Sequence, residues 1–324
     1  MDFNLSDVQT AWQSRAHSLG GRLAADAPAG DVIREAAAAG LIEPRPDLLA
    51  SAVAVEALSY ESSAAGVSLA LHIGVTAGLP PDNRFADLAR GTIVGAIALS
   101  SDDVPVEEGG RLFGRAAWVT PLTPLGVALL GVRSRDGVAA AAVWLNAPGV
   151  LQEAVDTAAL GGLVCGYVRV DGAPFDAMGA TMPFMARVRI LLSAAGLGMG
   201  RRALHEALVA AHGRTGHGAG GEQTVQGLLA DAATELDAAM LLTWKAAAAA
   251  DLSLAEASMA KLAATGATQR AVARATQVVG ADSFRRGHVV ERLAQDVRTL
   301  ELFAGRTEAL REAVALETLP RMDS

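Results

Sequence analysis

Residue types able to do chemistry are few in this sequence and widely spaced. His72 stands alone in an apolar run, GVSLALHIGV, Gly66 to Val75. A histidine there can present a titrating imidazole to a cavity. The plainer reading, which the residues favour, is a helix histidine satisfied by a neighbouring carbonyl. The single cysteine, Cys165, excludes an intrachain disulfide framework and any cysteine-based zinc site. It reads as a small buried side chain, and no metal site is expected. Trp118, Val119 and Thr120 form a W-V-T run that on its own reads as a strand with an inward tryptophan. Arg214 opens a glycine-rich segment, RTGHGAGG, where a lone arginine is explained as well by solvation as by a ligand.

The elements that must position these residues follow from composition and period. The 324 residues are half apolar, with two Tyr, seven Phe and a net charge of -8. Length allows two or three regions around a large core. Abundant alanine with few aromatics favours closely packed helices. The absence of a basic face argues against nucleic-acid binding. Met1 to Asp7 is polar and acidic, unlike a signal peptide. The longest mostly apolar run, Ala64 to Leu79, contains His72 and falls short of the roughly 20 residues of a membrane span. A cytoplasmic protein without membrane contact is expected.

Residues 1–90 read as helices: Asp2 to Ala25, Asp31 to Gly40, Leu48 to Glu61 and Ala64 to Gly78. In the first, Phe3, Leu5, Val8, Trp12, Ala16 and Leu19 mark one face. Pro80 and Pro81 end the fourth. Residues 91–178 change period. Thr92 to Ser100, Leu112 to Thr120, Gly126 to Arg133, Val138 to Leu145 and Val164 to Val170 are β-branched runs separated by turn residues. They predict an antiparallel β-domain or small barrel. Residues 179–324 return to helical spacing: Arg187 to His212, Thr224 to Ala250, Ser253 to Val279, Val289 to Leu302 and Thr307 to Leu319. Ser253 and Glu256 suggest a capping box. Ala194, Ala195, Gly198 and Gly200 permit close helix packing. The fold class is α+β, mostly α: an N-terminal helical domain, a middle antiparallel β-domain and a C-terminal bundle of four or five helices.

The stretch Gln277 to Arg311, QVVGADSFRRGHVVERLAQDVRTLELFAGRTEALR, resembles the C-terminal signature of the acyl-CoA dehydrogenase family. Gln277, Val278, Val279 and Gly280 fall on its Q-x-x-G, with Phe284 at the aromatic position. Val290, Glu291 and Arg292 fall on V-E-R. Asp296 and Arg298 fall on R-D-A-R, with Gln295 for the first Arg. Leu302, Phe303, Ala304 and Gly305 fall on I-Y-E-G. Met1, Asp2, Phe3, Leu5 and Gln9 resemble the family's opening. Gln223, Gln226, Leu229, Ala230 and Asp231 resemble a later motif, whose F-G-x-P part is here a shorter glycine-rich turn.

This resemblance implies FAD as cofactor, with Ser100, Trp118, Thr120, Arg214, Gln277 and Gly280 as its contacts. An indole suits the flat face of the isoalloxazine, and a hydroxyl near N5 suits an arriving hydride. The family's glycine-rich loop between two strands is replaced here by an acidic segment, Asp102 to Glu108. The resemblance also implies an acyl-CoA or other thioester substrate, with His72 and Arg189 as candidates to line its cavity. The expected catalytic base is missing: Ala304 occupies its position, and Val188 the alternative one. Glu301 and Glu308 flank Ala304, and their plain reading is that of surface carboxylates.

Three readings fit. The chain is the base-lacking subunit of a heteromeric acyl-CoA dehydrogenase, with a CoA thioester, sterol-derived among the options, as substrate. Alternatively it is a self-sufficient flavoenzyme repurposed for natural-product or carrier-bound substrates. In the third it is a flavin-free scaffold. Homo- or hetero-oligomers with an acyl-CoA dehydrogenase homologue are expected by analogy.

Overall fold

The computed structural model describes residues 4–43, 46–80, 86–99, 103–134, 137–176, 178–179, 181–213 and 223–319. Helices come first: α1 (Asp7–Gly20), α2 (Ala29–Ala38), α3 (Leu48–Glu61), α4 (Ser63–Gly78) and the single turn α5 (Ala86–Ala89). The first helix is shorter than its apolar pattern predicts. Ser6 caps it: the Ser6 hydroxyl accepts from the Gln9 N–H at 3.3 Å, and the Gln9 side chain accepts from the Ser6 N–H at 2.9 Å. That reciprocal cap fixes the start, and Val8 faces solvent while Trp12, Ala16 and Leu19 are buried. Helices α3 and α4 carry apolar residues all round and are buried on nearly every side, as such helices must be.

Among the described residues eight strands follow: β1 (Val94–Ala98), β2 (Val106–Glu108), β3 (Arg111–Val119), β4 (Gly126–Ser134), β5 (Gly137–Trp144), β6 (Val150–Val155), β7 (Cys165–Ala173) and β8 (Met178–Gly179). They form one sheet in the order β6-β7-β3-β2-β4-β5-β8, with β1 against β4. The sheet is mixed, which corrects the antiparallel expectation. β1 runs parallel to β4, and β2 touches β4 in parallel. The chain leaves β1, makes the β2–β3 hairpin, and re-enters in its original direction. A bridge between Ile97 and Thr120 then draws the end of β3 back onto β1.

The C-terminal helices are α6 (Thr181–Gly213), α7 (Gln223–Ala247), α8 (Leu254–Val279), α9 (Val289–Thr299) and α10 (Thr307–Thr318), with a 3-10 turn at Gly280–Phe284. Ser253 caps α8 by accepting from the Glu256 N–H. The Glu256 carboxylate pairs with Lys245. Helix α6 packs on α3, α4, α7 and α8. Small residues allow this: a Cβ at Gly198 would lie 2.1 Å from the Glu56 carbonyl, and one at Gly200 2.6 Å from Leu236. One apolar core therefore runs from α1 through α4 into α6, α8 and α9, and a second lies within the sheet. Among the described residues, no helix is long and apolar enough to cross a membrane.

Candidate functional site

The position expected to carry a base lies in the turn between α9 and α10. Ala304 has φ +56° and Gly305 φ +114°, so the chain reverses through left-handed backbone that alanine adopts only at a cost. The turn is held from below. Arg189 of α6 donates from Nε to the Ala304 carbonyl at 3.0 Å and from Nη1 to the Ser258 hydroxyl at 2.7 Å. Lys261, one helical turn beyond Ser258 on α8, donates to the Leu300 carbonyl at 2.7 Å.

Both cations are buried. Burial lowers the Lys261 pKa to about 7, with the Arg189 charge adding to the effect and Glu301 opposing it. The Arg189 pKa is also lowered by burial. Arg189 thus serves the turn, and its expected place in a substrate cavity gives way to this clamp. Glu301 accepts from Gln269 of α8 at 3.2 Å. Glu308 is exposed in the first turn of α10. Val188, at the alternative base position, is sealed in the core, and a Cβ at Gly74 of α4 would meet it at 2.7 Å.

His72 is also internal. Its Nδ1 accepts from the Gly95 N–H at 3.0 Å, and Nε2 lies 3.0 Å from the Leu88 carbonyl, to which it donates. Both ring nitrogens are occupied, so none is left for a thioester. The neutral ring pins α4 to β1, and burial pushes its pKa down to about 4. This corrects the cavity assignment.

The W-V-T run behaves differently. The register of β3 on β7 shifts between Ala116 and Val119, and Trp118 takes φ +57° there. The irregularity turns the indole outward, 53% exposed, while Val119 and Thr120 are buried. The inward tryptophan of the plain strand reading is thereby corrected. The Thr120 hydroxyl donates to the Trp118 carbonyl at 3.1 Å and keeps its lone pairs for a donor. Sequence reading missed two neighbours on this face. The Tyr167 ring lies 6.1 Å from Trp118, and the Arg115 guanidinium sits 4.7 Å over Tyr167. Arg115 also pairs with Asp103. Only cross-strand register joins these residues, so linear spacing carried no signal.

Gln277 is exposed at the end of α8, and Gly280 caps it at φ +74° with open space where a Cβ would stand. Phe284 is 77% exposed on the 3-10 turn. Ser100 and Arg214 lie outside the described residues. Cys165 is buried, and burial pushes its thiol up. Among the described residues no group of acidic, histidine or cysteine side chains could hold a metal.

An open depression of about 610 Å³ lies between the loop at Thr157–Ala159 and α9, closed at one end by Thr299 and Leu302. Beside it the Asp296 carboxylate accepts from the Leu160 N–H at 2.7 Å and from Ser63, and burial raises its pKa. One side chain thus joins α9, the β6–β7 loop and the start of α4.

Residues 178–319 match the family model of the acyl-CoA dehydrogenase C-terminal domain. The C-terminal region is thus an acyl-CoA dehydrogenase C-terminal domain. It is 28% identical to the human mitochondrial short-chain specific acyl-CoA dehydrogenase over 88% of this chain and 78% of that protein. A probable acyl-CoA dehydrogenase of Bacillus subtilis, YngJ, is 26% identical over 84% and 83%. The fold is that of the butyryl-CoA dehydrogenase of Megasphaera elsdenii (TM-score 0.85, 18% identity, 98% of this chain and 99% of that one). PigA with FAD and proline shares it at TM-score 0.84 and 18% identity, over 98% and 99%. The chain therefore shares the architecture of these proteins, and its 300–305 turn carries Ala304.

Proposed function

We propose that this chain is the base-lacking subunit of a heteromeric, FAD-dependent acyl-CoA dehydrogenase that introduces an α,β double bond into a CoA thioester. The observation that carries the reading is the 300–305 turn. A base must come within hydrogen-bond reach of the α proton. Ala304 has only a methyl, with no group that takes a proton, and Val188 is sealed. Glu301 is engaged by Gln269. The carboxylate then comes from a homologous partner chain, and the three segments 1–90, 91–178 and 179–324 form the scaffold it completes.

The described residues fit a flavin. An exposed indole, with a second ring tilted at 48° beside it, offers a flat apolar face of its own, and such faces hold planar heteroaromatic rings. Trp118 would cover the ring system, with Thr120 at its polar edge and Ser100, Arg214, Gln277 and Gly280 as further contacts. When bound, FAD supplies hydride acceptance from the β carbon. What this chain's residues do is bind, orient and exclude water. The buried Arg189 and Lys261 fix the turn backbone that faces the partner's base.

A second reading has its own support. The retained Trp118–Thr120 face and the likeness to PigA with FAD and proline suit a self-sufficient flavoenzyme acting on a carrier-bound or natural-product substrate.

The visible absorption spectrum tests both. A colourless chain that turns yellow on co-expression with a Glu-bearing homologue, and then oxidises CoA thioesters, supports the heteromer. Sterol-derived thioesters are the first to assay. A yellow chain with one flavin per protomer that turns over a substrate alone overturns it. Ala304→Glu should leave the isolated chain without acyl-CoA oxidation, and robust activity there would count against a partner.

A further inference from the structure

Arg115 has an arrangement that the strand fold does not require. Its side chain projects from β3 on the face that carries Trp118 and lies over Tyr167, 4.7 Å from the ring centroid. Tyr167 in turn stands 6.1 Å from Trp118. The three groups make a continuous surface of indole, phenol ring and guanidinium. Among the described residues the only polar partner of Arg115 is Asp103, whose backbone sits at φ +52°. The two side chains are 43% and 49% exposed. On the same face Arg169 pairs with Glu153 at 2.8 Å, and Arg111 donates to the Gly172 carbonyl.

The chemistry follows from these contacts. Stacking on a ring fixes the guanidinium plane before any ligand arrives, and a planar fork matches a phosphate bidentately. A half-exposed carboxylate–guanidinium pair is weak and solvent-screened. Asp103 meets the fork through Nη2 alone, in a solvent-screened pair that a more highly charged anion can displace. We infer that Arg115 is an anion handle for the aromatic face: a ligand that lays a planar ring on Trp118 displaces Asp103 and places a phosphate ester on Arg115. The inference rests on the reading of Trp118 as a flavin platform and adds a second, charge-based contact to it.

The test compares riboflavin with FMN, which differ by one phosphate. Flavin-fluorescence quenching gives both dissociation constants on the full chain, freed of endogenous flavin, in whichever state retains flavin, alone or with its homologue. FMN should bind roughly ten-fold more tightly than riboflavin at low salt, and the gap should narrow as salt rises. Arg115→Gln should weaken FMN to about the riboflavin level and leave riboflavin unchanged, as expected if one charged hydrogen-bonded contact is lost. Arg115→Lys should retain part of the gap, and Asp103→Asn should tighten FMN alone. An FMN-to-riboflavin ratio that is the same in Arg115→Gln as in the unaltered protein, with both flavins still bound, overturns the handle and leaves the platform standing. Failure of both flavins to bind in either state overturns the platform and the handle together.

Discussion

Arg189 and Arg115 show how two regions of the molecule use the same side chain. Arg189 is 6% exposed and gives its donors to a backbone carbonyl and a serine. Arg115 is 43% exposed on the side chain, lies over an aromatic ring and pairs with a half-exposed carboxylate. Around the first, Lys261 also goes to a backbone carbonyl, and the turn it supports ends in an alanine. Around the second, Trp118 and Tyr167 are left on the surface. The 300–305 turn has become architecture, with its charges consumed in holding the chain. The β3–β7 face keeps groups that no fold requirement explains.

The sharpest way to break this contrast is to titrate Lys261. Its pKa in the folded chain is about 7 against an ordinary 10.5. Between those values the unfolded chain binds the proton more readily, so stability rises with pH across the window. It falls as pH drops toward 7, by on the order of 4 kcal/mol from this group. Lys261→Met should flatten that dependence. A denaturation series in which both proteins keep the same pH profile would show that the amine titrates normally.

Arg189→Ala comes next. It leaves the Ala304 carbonyl unpaired beneath the turn and should cost about 3 kcal/mol, read as a lower urea midpoint. A loss under about 0.5 kcal/mol would mean the turn is held by something else. Ala304→Gly acts the other way. Glycine accepts φ +56° without strain, so the variant should be more stable by about 1 kcal/mol. A less stable variant would show that the alanine methyl packs more than it strains. Trp118→Ala should have the smallest effect on folding, within about 0.5 kcal/mol for a half-exposed side chain, yet should lower flavin retention. Unchanged flavin content would remove Trp118 from the binding face.

How far the sequence led depended on how local the deciding physics was. Helix α3 was predicted at Leu48 to Glu61 and found at those residues, because Asp47 caps one end and an apolar run fills the rest. Helix α4 differed by one residue at its Ser62 cap. Strands β2, β6 and β8 were missed, being short or carrying polar residues such as Gln152 and Glu153. The parallel pairing of β1 with β4 depends on a crossover that no residue pattern encodes. At the site, Trp118 and Thr120 were legible as neighbours in a motif, but the outward turn of the indole came from a register shift. Arg189 was named only as a cavity candidate by resemblance, and its partners, the Ala304 carbonyl and the Ser258 hydroxyl, lie 115 and 69 residues away. The choice between the two readings of His72 needed Gly95 and Leu88 in place.

The Leu160–Asp296 hydrogen bond joins residues 136 positions apart, and it cannot form until the strands and the last helices have each found their neighbours. Contacts of such sequence separation come late, because loop closure must be met before they return anything. Asp296 then acts on the way out of the native state more than on the way in. Weakening it should hasten unfolding while leaving the refolding rate nearly unchanged, so the lifetime of the assembled chain is set in part by one half-buried carboxylate at the meeting point of a helix, a loop and a helix start.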